Sequence, residues 1–295
     1  MDMKVSRAYL YIICIFLWCG CTHRPAASEN GEDRRTITVS VEPLRYLTEQ
    51  IAGETYHVTT FVPKGSSPET YEPTPEQLVA LKNSIIFLSI GDLGFERTWL
   101  DRLRQNAPEV TFARVADEIP RLDGHRHTHE KTIHETDGDP HVWTSPACMK
   151  KMAQQVCHVL CKMDTAQAGI FRSNLLKVEQ EIQAVDDSIR TLLSGTSQKT
   201  FLIYHPTLTY FAHDYGLEQL SIEKDGKEPS PRHLAGLISL CKNRHVKTIF
   251  VQQEFDRKNA MLIAQETGTR ITEINPLAYE WKAEMLNIAQ TLHEQ

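Results

Sequence analysis

Short apolar runs alternate with amphipathic segments along most of this chain. The run 84–90 is nearly all apolar, which is typical of a strand covered on both faces. After the first run, Leu44, Leu47 and Ile51 fall on one face of a predicted helix. The predicted strands are 37–41, 58–62, 84–90, 110–115, 201–204, 219–222, 248–251 and 271–274. Strands that alternate with helices in this way predict βαβ units and therefore parallel sheets.

The longest helical signal lies between the two groups of strands. Apolar residues step by three or four positions from 175 to 192 and so form one face. Asp164 and Gln167 are expected to cap its N-terminus. At a rise of 1.5 Å per residue this helix is about 40 Å long. We expect it to join two α/β lobes, and the alternative is a helix lying across one large sheet. The predicted segments are an N-terminal lobe at 37–163, a connecting helix at 164–195 and a C-terminal lobe at 196–295.

The amino terminus departs from the α/β pattern. Lys4 and Arg7 precede an apolar run, 8–18, which is too short for an ordinary membrane span and typical of an export signal. The run leads into Gly20-Cys21, which resembles the lipobox of bacterial lipoproteins, so Cys21 is expected to carry a lipid. The expected divisions are a signal peptide at 1–20 and a flexible, polar tether at 21–36. An uncleaved anchor is the alternative, and either form places the body outside the cytoplasm.

Charge and composition limit the kinds of partner that this protein can bind. The 295 residues have 41% hydrophobic and 24% charged side chains and a net charge of -6, with no basic stripe that could follow a phosphate backbone. Removing residues 1–20 takes away two positive charges and one negative charge and leaves -7. A nucleic-acid partner is therefore not expected. The four cysteines beyond the tether lack CxxC spacing and are expected to be buried apolar residues, although one disulfide remains open.

Several side chains with metal-binding chemistry follow predicted strands or lie in rigid loops. His205 and Glu254 each come just after a strand, and His141 lies in a turn before a predicted helix. Glu69 lies in a loop that is rich in proline. Ligands of open α/β sheets bind beyond the carboxyl ends of parallel strands. Imidazole and carboxylate are suited to zinc and to neighbouring first-row metals, so we predict a divalent metal site.

Seven short motifs are spread from residue 37 to the C-terminus. They are Gly-x-x-Pro-x-x-Tyr-Glu-Pro-Thr-Pro at 65–75, Asp-Pro-His-Val-Trp at 139–143, Tyr-His-Pro at 204–206, Tyr-Gly-Leu at 215–217, Pro-Ser-Pro at 229–231, Ile-Phe-Val at 249–251 and Asn-Pro-Leu at 275–277. Together they resemble the periplasmic metal-binding proteins of ABC transporters for zinc and manganese, the ZnuA/TroA-like group. The resemblance implies two α/β lobes, a long connecting helix and a metal at the lobe interface. It also implies a monomer that hands the metal to a membrane permease.

The resemblance also implies a ligand set, with two departures. The metal histidines of the family match His141 and His205, and a histidine at the latter position is typical of the zinc branch. Where the family has a histidine and a final aspartate, this chain has Glu69 and Asn275. Around a divalent ion both sets leave a charge of +1, so the two changes compensate. We expect Glu69 to be the anionic ligand, with Asn275 or a water as the fourth and Glu254 in reserve. The alternative is that Glu69 only caps its loop.

The segment 123–139 is unusually rich in histidine and acidic residues. Its histidines are His125, His127, His129 and His134. Thirteen histidines in 295 residues predict about 0.4 in a window of ten, so four within 125–134 mark a metal-affine tract. It resembles the His-rich loop of zinc-specific family members, which implies an auxiliary role in collecting zinc. The alternative is a solvated loop without any role in metal binding.

The sequence therefore predicts a lipid-anchored binding protein, and not an enzyme, that captures Zn2+ on the outer side of a bacterial membrane. Within this class the alternative cargo is Mn2+ or Fe2+, which two imidazoles and carboxylates also suit. Two alternatives from other classes are an extracellular metallohydrolase and a metal-dependent adhesin. The chain has no HExxH and no GxSxG motif, which disfavours the hydrolase.

Overall fold

Two four-stranded parallel sheets organise the protein. The computed structural model describes residues 35–122, 138–223 and 227–295. The expected signal peptide, Cys21 and the four histidines of the His-rich segment lie outside the described residues. The two α/β lobes with parallel sheets confirm the predicted fold class.

The first sheet has the strand order β2-β1-β3-β4. Its strands are β1 (Thr36–Val39), β2 (His57–Thr60), β3 (Ser84–Ser89) and β4 (Thr111–Arg114). The helices that connect them are α1 (Glu42–Ala52), α2 (Pro75–Leu81) and α3 (Gly94–Asn106). Strand β3 is almost wholly buried between two neighbours, as its apolar sequence predicts.

The second sheet repeats the design with the order β6-β5-β7-β8. Its strands are β5 (Thr200–Ile203), β6 (Glu218–Ser221), β7 (Thr248–Gln252) and β8 (Arg270–Ile274). The helices between them are α6 (Thr209–Asp214), α7 (Pro231–Arg244) and α8 (Lys258–Thr267). Ser230 caps α7 by accepting a hydrogen bond from the His233 N–H, next to a proline in the first turn.

Three helices connect and support the lobes. They are α4 (Pro146–Met163), α5 (Ala168–Ser194) and α9 (Trp281–His293). The long helix α5 has 27 residues, and it packs against α1, α4 and α9. Its apolar face is buried, including Val178, Ile182 and Ile189. Asp164 ends α4, and its Oδ1 accepts a hydrogen bond of 3.3 Å from the Gln167 N–H at the start of α5.

Buried hydrogen bonds join the two halves of the chain close to one end of both sheets. The Trp143 indole donates to the Pro276 carbonyl at 2.8 Å, and the Trp281 indole donates to the Trp143 carbonyl at 2.7 Å. Both indoles are at most 1% exposed. The Tyr210 hydroxyl donates to the Asp139 carbonyl at 2.8 Å. Because a buried polar group that loses its partner is costly, these bonds hold the lobes in one arrangement.

Two further features bear on the expectations from sequence. The four cysteines of the described region are free, and Cys157 and Cys161 on α4 have their sulfurs 3.8 Å apart. Cys157 is buried, and its pKa is raised to about 12 by burial and by the neighbouring thiol. None of the helices within the described residues is both long enough and apolar enough to cross a bilayer.

Candidate metal centre

Three side chains from three separate loops converge where the two lobes meet. Glu69 lies in the loop between β2 and α2, His141 lies just before the short 3-10 helix Val142–Thr144, and His205 follows β5. One potential ligand atom from each lies within 4.8 Å of the other two. Within the described part of the chain, no other group of three or more His, Cys, Asp or Glu side chains comes this close together. The structure thus brings together three of the five ligands suggested by the sequence.

Glu69 is held against the N-terminus of α3. The Gly94 N–H donates to Glu69 Oε2 at 3.2 Å, and the Phe95 N–H donates to the Pro68 carbonyl at 2.9 Å. A Cβ on residue 94 would lie 2.1 Å from the Glu69 carbonyl oxygen, so this close approach requires glycine. The backbone amide and the positive end of the helix favour a carboxylate here.

The second oxygen of Glu69 points toward the other ligands. Oε1 is buried, has no hydrogen-bond partner among the described residues, and lies 3.5 Å from His141 Nε2. Burial raises the pKa of Glu69, but His141, together with His205 and Arg97, outweighs burial and leaves that pKa below its usual value. Glu69 is therefore an anion with one free oxygen, as a metal ligand requires.

His141 is fixed by a buried carboxylate two residues before it. Asp139 Oδ1 accepts the His141 backbone N–H at 2.7 Å and lies 2.8 Å from His141 Nδ1. Burial lowers the pKa of His141, but the carboxylates of Asp139 and Glu69 outweigh burial and raise this pKa to about 10. The ring is almost fully buried, and Nε2 is the nitrogen that faces Glu69. A metal ion that bound Nε2 would have to replace a proton there.

His205 is held in the same way from the second lobe. Its Nδ1 lies 2.7 Å from Glu223 Oε2, and its ring stacks on Phe255 with centroids 5.3 Å apart. Gln252 holds the backbone, because its Nε2 donates to the His205 carbonyl at 2.6 Å and its Oε1 accepts the His205 N–H at 3.3 Å. Nε2 of His205 is buried and finds no partner among the described residues. This nitrogen is left as the free donor atom.

The two remaining suggested ligands, Glu254 and Asn275, do not belong to this group of three. Glu254 follows β7 and lines the same cavity, and burial raises its pKa. Asn275 follows β8, and its Oδ1 accepts the Leu277 N–H at 3.1 Å. Asn275 lines a neighbouring cavity, whereas Pro276 and Leu277 line the metal-site cavity. Glu254 is thus placed on the wall of the site, and the Asn275 oxygen is already engaged in a turn.

Three residues that shape this site are absent from the candidates predicted from the sequence. They are Asp139, Glu223 and Gly94, which contact the candidate ligands His141, His205 and Glu69 respectively. Glu223 lies two residues beyond the end of β6 and directly after the predicted strand 219–222, so the strand-end rule that selected His205 could have found it. No sequence signal marks the contact of Gly94 with the Glu69 backbone.

The cavity between these side chains is small. Its volume of about 20 Å³ is enough for one ion or one water but not for an organic solute. One carboxylate oxygen and two imidazole nitrogens are the donors that divalent first-row metals take in proteins. Two α/β lobes with a buried, single-ion site between them define a metal-binding protein of the two-lobed solute-binding class.

Comparison with known proteins identifies the family within this class. The family model described as "Zinc-uptake complex component A periplasmic", ZnuA, matches residues 37–294, and the chain belongs to this family. A crystal structure of ZnuA is 31% identical, with a TM-score of 0.83, and the match covers 89% of this chain and 99% of that one.

Two relatives carry names that differ in the metal. The high-affinity zinc uptake system protein ZnuA of Bacillus subtilis is 24% identical over 94% of this chain and 90% of its own. The manganese-binding lipoprotein MntA of Halalkalibacterium halodurans is 26% identical over 91% of this chain and 87% of its own. The family resemblance noted in the sequence is thereby confirmed.

Proposed function

We propose that this protein captures a divalent transition metal outside the cytoplasm, zinc first, and delivers it to the permease of an ABC transporter. The observation that carries the proposal is the convergence of Glu69, His141 and His205 from both lobes. Glu69 Oε1 and His205 Nε2 are buried polar atoms without partners among the described residues, which is unfavourable unless an ion binds there. The metal is the cargo, and its binding satisfies these atoms.

The proposed ligands are Glu69 Oε1, His141 Nε2 and His205 Nε2. Glu254 or a water completes four-coordination, because Glu254 lines the cavity while the Asn275 oxygen accepts a backbone N–H. Around a divalent ion, one carboxylate and two neutral imidazoles leave +1, and ionised Glu254 would bring this to zero. Because the anionic ligand Glu69 is anchored on α3, the site is largely assembled before the metal arrives.

Delivery requires a position next to a membrane. Lipid attachment at Cys21 and a polar tether place the monomeric binding domain on the outer side of a bacterial membrane, within reach of the permease. The histidines of 123–139 are proposed to collect zinc beside the main site. The names of the relatives, which include zinc uptake and a lipoprotein, support this arrangement.

The second candidate cargo is manganese, with iron as a further member of the same group. Two carboxylates and two imidazoles in one cavity suit these ions as well as zinc, and one relative is named for manganese. Uptake of manganese or iron uses the same ligands and the same permease step. Metal selectivity is therefore the property to measure first.

The test is competitive loading of the purified protein with zinc, manganese and iron, followed by elemental analysis. We expect zinc in excess of both competitors, with about one zinc per chain in the site between the lobes and any further zinc on the histidines of 123–139. Glu69→Ala is expected to weaken zinc binding at least about tenfold, because it removes the anionic ligand. The matched control is Glu72→Ala, an exposed carboxylate in the same loop. Manganese dominance overturns the zinc assignment, and an unchanged affinity in Glu69→Ala overturns its role as a ligand.

A further inference from the structure

The buried carboxylate of Glu223 contacts His205, the histidine of the second lobe. Glu223 follows β6, is 8% exposed, and places Oε2 at 2.7 Å from His205 Nδ1. Its backbone N–H donates to the Tyr204 carbonyl at 3.0 Å, which continues the pairing of β6 with β5. The backbone of Glu223 is thus fixed by the sheet, and its side chain is aimed at the imidazole.

This contact determines which nitrogen of His205 can bind a metal. An ionised carboxylate only accepts hydrogen bonds, so Nδ1 carries the proton and Nε2 keeps its lone pair. Asp139 makes the same contact with His141 from the other lobe. In each imidazole, Nδ1 therefore contacts a carboxylate and Nε2 faces the cavity. Such carboxylate partners raise the basicity of a metal-bound imidazole and fix its orientation.

We propose that Glu223 is a positioning residue that, through His205, sets the preference of the site for zinc over manganese. This inference rests on the proposed function, because it assumes that His205 binds the metal. Glu223 does not touch the ion itself. It makes His205 a stronger nitrogen donor and holds the ring on one axis.

The effect is selective because the two metals respond differently to nitrogen donors. Zinc lies far above manganese in the order of divalent-metal affinities, and imidazole suits zinc while carboxylate suits manganese. Strengthening His205 therefore adds more to zinc affinity than to manganese affinity. A preference for zinc over manganese needs this support because Glu69, a carboxylate, lies at a position where the resemblance implies a histidine. In this protein Glu223 offsets that change.

The test compares zinc and manganese affinities of the full-length protein by chelator competition. Glu223→Gln keeps the size of the side chain and an oxygen acceptor but removes the negative charge. We expect zinc affinity to fall about tenfold to hundredfold and manganese affinity to fall only about threefold or less. The absorption of bound cobalt in the visible range is a second readout, since a looser imidazole lowers its tetrahedral intensity.

The matched control is Glu228→Gln. Glu228 accepts hydrogen bonds from the Tyr204 hydroxyl at 3.5 Å and from Asn259 at 3.0 Å, and neither of these involves the His205 ring. We expect this variant to keep the zinc-to-manganese ratio of the wild type. Thermal unfolding of both metal-free variants establishes that the fold is intact.

The outcomes separate this inference from the proposed function. Equal losses of zinc and manganese affinity in Glu223→Gln, or no loss of either, overturn the role in selectivity. His205→Ala tests the underlying assumption, because it removes the proposed ligand itself. If His205→Ala binds zinc as tightly as the wild type, the proposed site fails together with this inference. If His205→Ala loses zinc while Glu223→Gln keeps the full metal preference, only the present inference fails.

Discussion

Zinc binding should compete with a proton on His141 over an unusually wide pH range. The carboxylates of Asp139 and Glu69 raise the pKa of this imidazole to about 10 against the effect of burial. At about pH 7 the imidazolium is then favoured by about three pKa units. Removing its proton costs about 4 kcal/mol at this pH, which lowers the observed affinity about a thousandfold from its value at high pH.

The assay is zinc affinity by chelator competition from about pH 6 to about pH 9. Below the pKa, each unit of pH should change the affinity about tenfold, since one proton leaves for each ion bound. An ordinary histidine, with a pKa near 6.5, would give a plateau above about pH 7.5. Calorimetry in buffers with different ionisation enthalpies should count about one proton released per zinc at neutral pH.

The control for this prediction is Asp139→Asn, which removes the strongest influence that raises the pKa of His141. In this variant the proton release at neutral pH should shrink and the plateau should begin at a lower pH. If the zinc affinity of the wild type does not change above about pH 7.5 and no proton is released, the raised pKa of His141 is refuted. Such a result would mean that His141 is neutral in the metal-free protein.

Three further predictions follow from the same contacts. Gly94→Ala displaces the backbone of the ligand loop and should weaken zinc binding at least about tenfold by chelator competition, whereas Gly169→Ala, whose Cβ meets open space, should not. Trp143→Phe leaves the buried Pro276 carbonyl without its donor and should lower the free energy of unfolding in urea by about 1–3 kcal/mol; an unchanged midpoint argues against the bond. Protonated His141 stabilises the metal-free protein. This stabilisation is full below about pH 6.5 and is lost as the pH rises through about 10. The wild type should therefore lose more thermal stability over this range than His141→Gln.

Most of the fold could be predicted because hydrophobic periodicity reports burial directly. Each of the eight strands lies within one or two residues of its predicted position. The signal is clearest in β3, β5 and β7, since a covered parallel strand has few polar positions. The predicted elements do not include α9, although it packs against α5. Its buried residues Trp281, Met285, Ile288 and Leu292 step by three or four positions, so the periodicity that predicts α5 is present in α9 as well and could have predicted this helix.

The site could be predicted only in part, because sequence order does not show which side chains face each other. His141 and His205 could be predicted from motifs and strand ends. Glu69 could be predicted from the negative charge that the site needs. The position of Asn275 depends on a hydrogen bond between its side chain and the Leu277 N–H, which is decided locally in three dimensions. The partnership of Glu223 with His205 depends on the register of β6 beside β5. Spacing along the chain contains neither fact.

The hydrogen bonds of Trp143 and Trp281 limit how far the lobes can separate to release an ion. Trp143 donates to the turn that lines one wall of the cavity and accepts from Trp281, so swinging the lobes apart there breaks two buried hydrogen bonds. At about 1–3 kcal/mol each, such an open state is rare in the free protein. The residence time of the ion is then governed by small excursions of the ligand loops. If the protein delivers its metal as proposed, we expect unloading to be faster on contact with the permease than in the free protein.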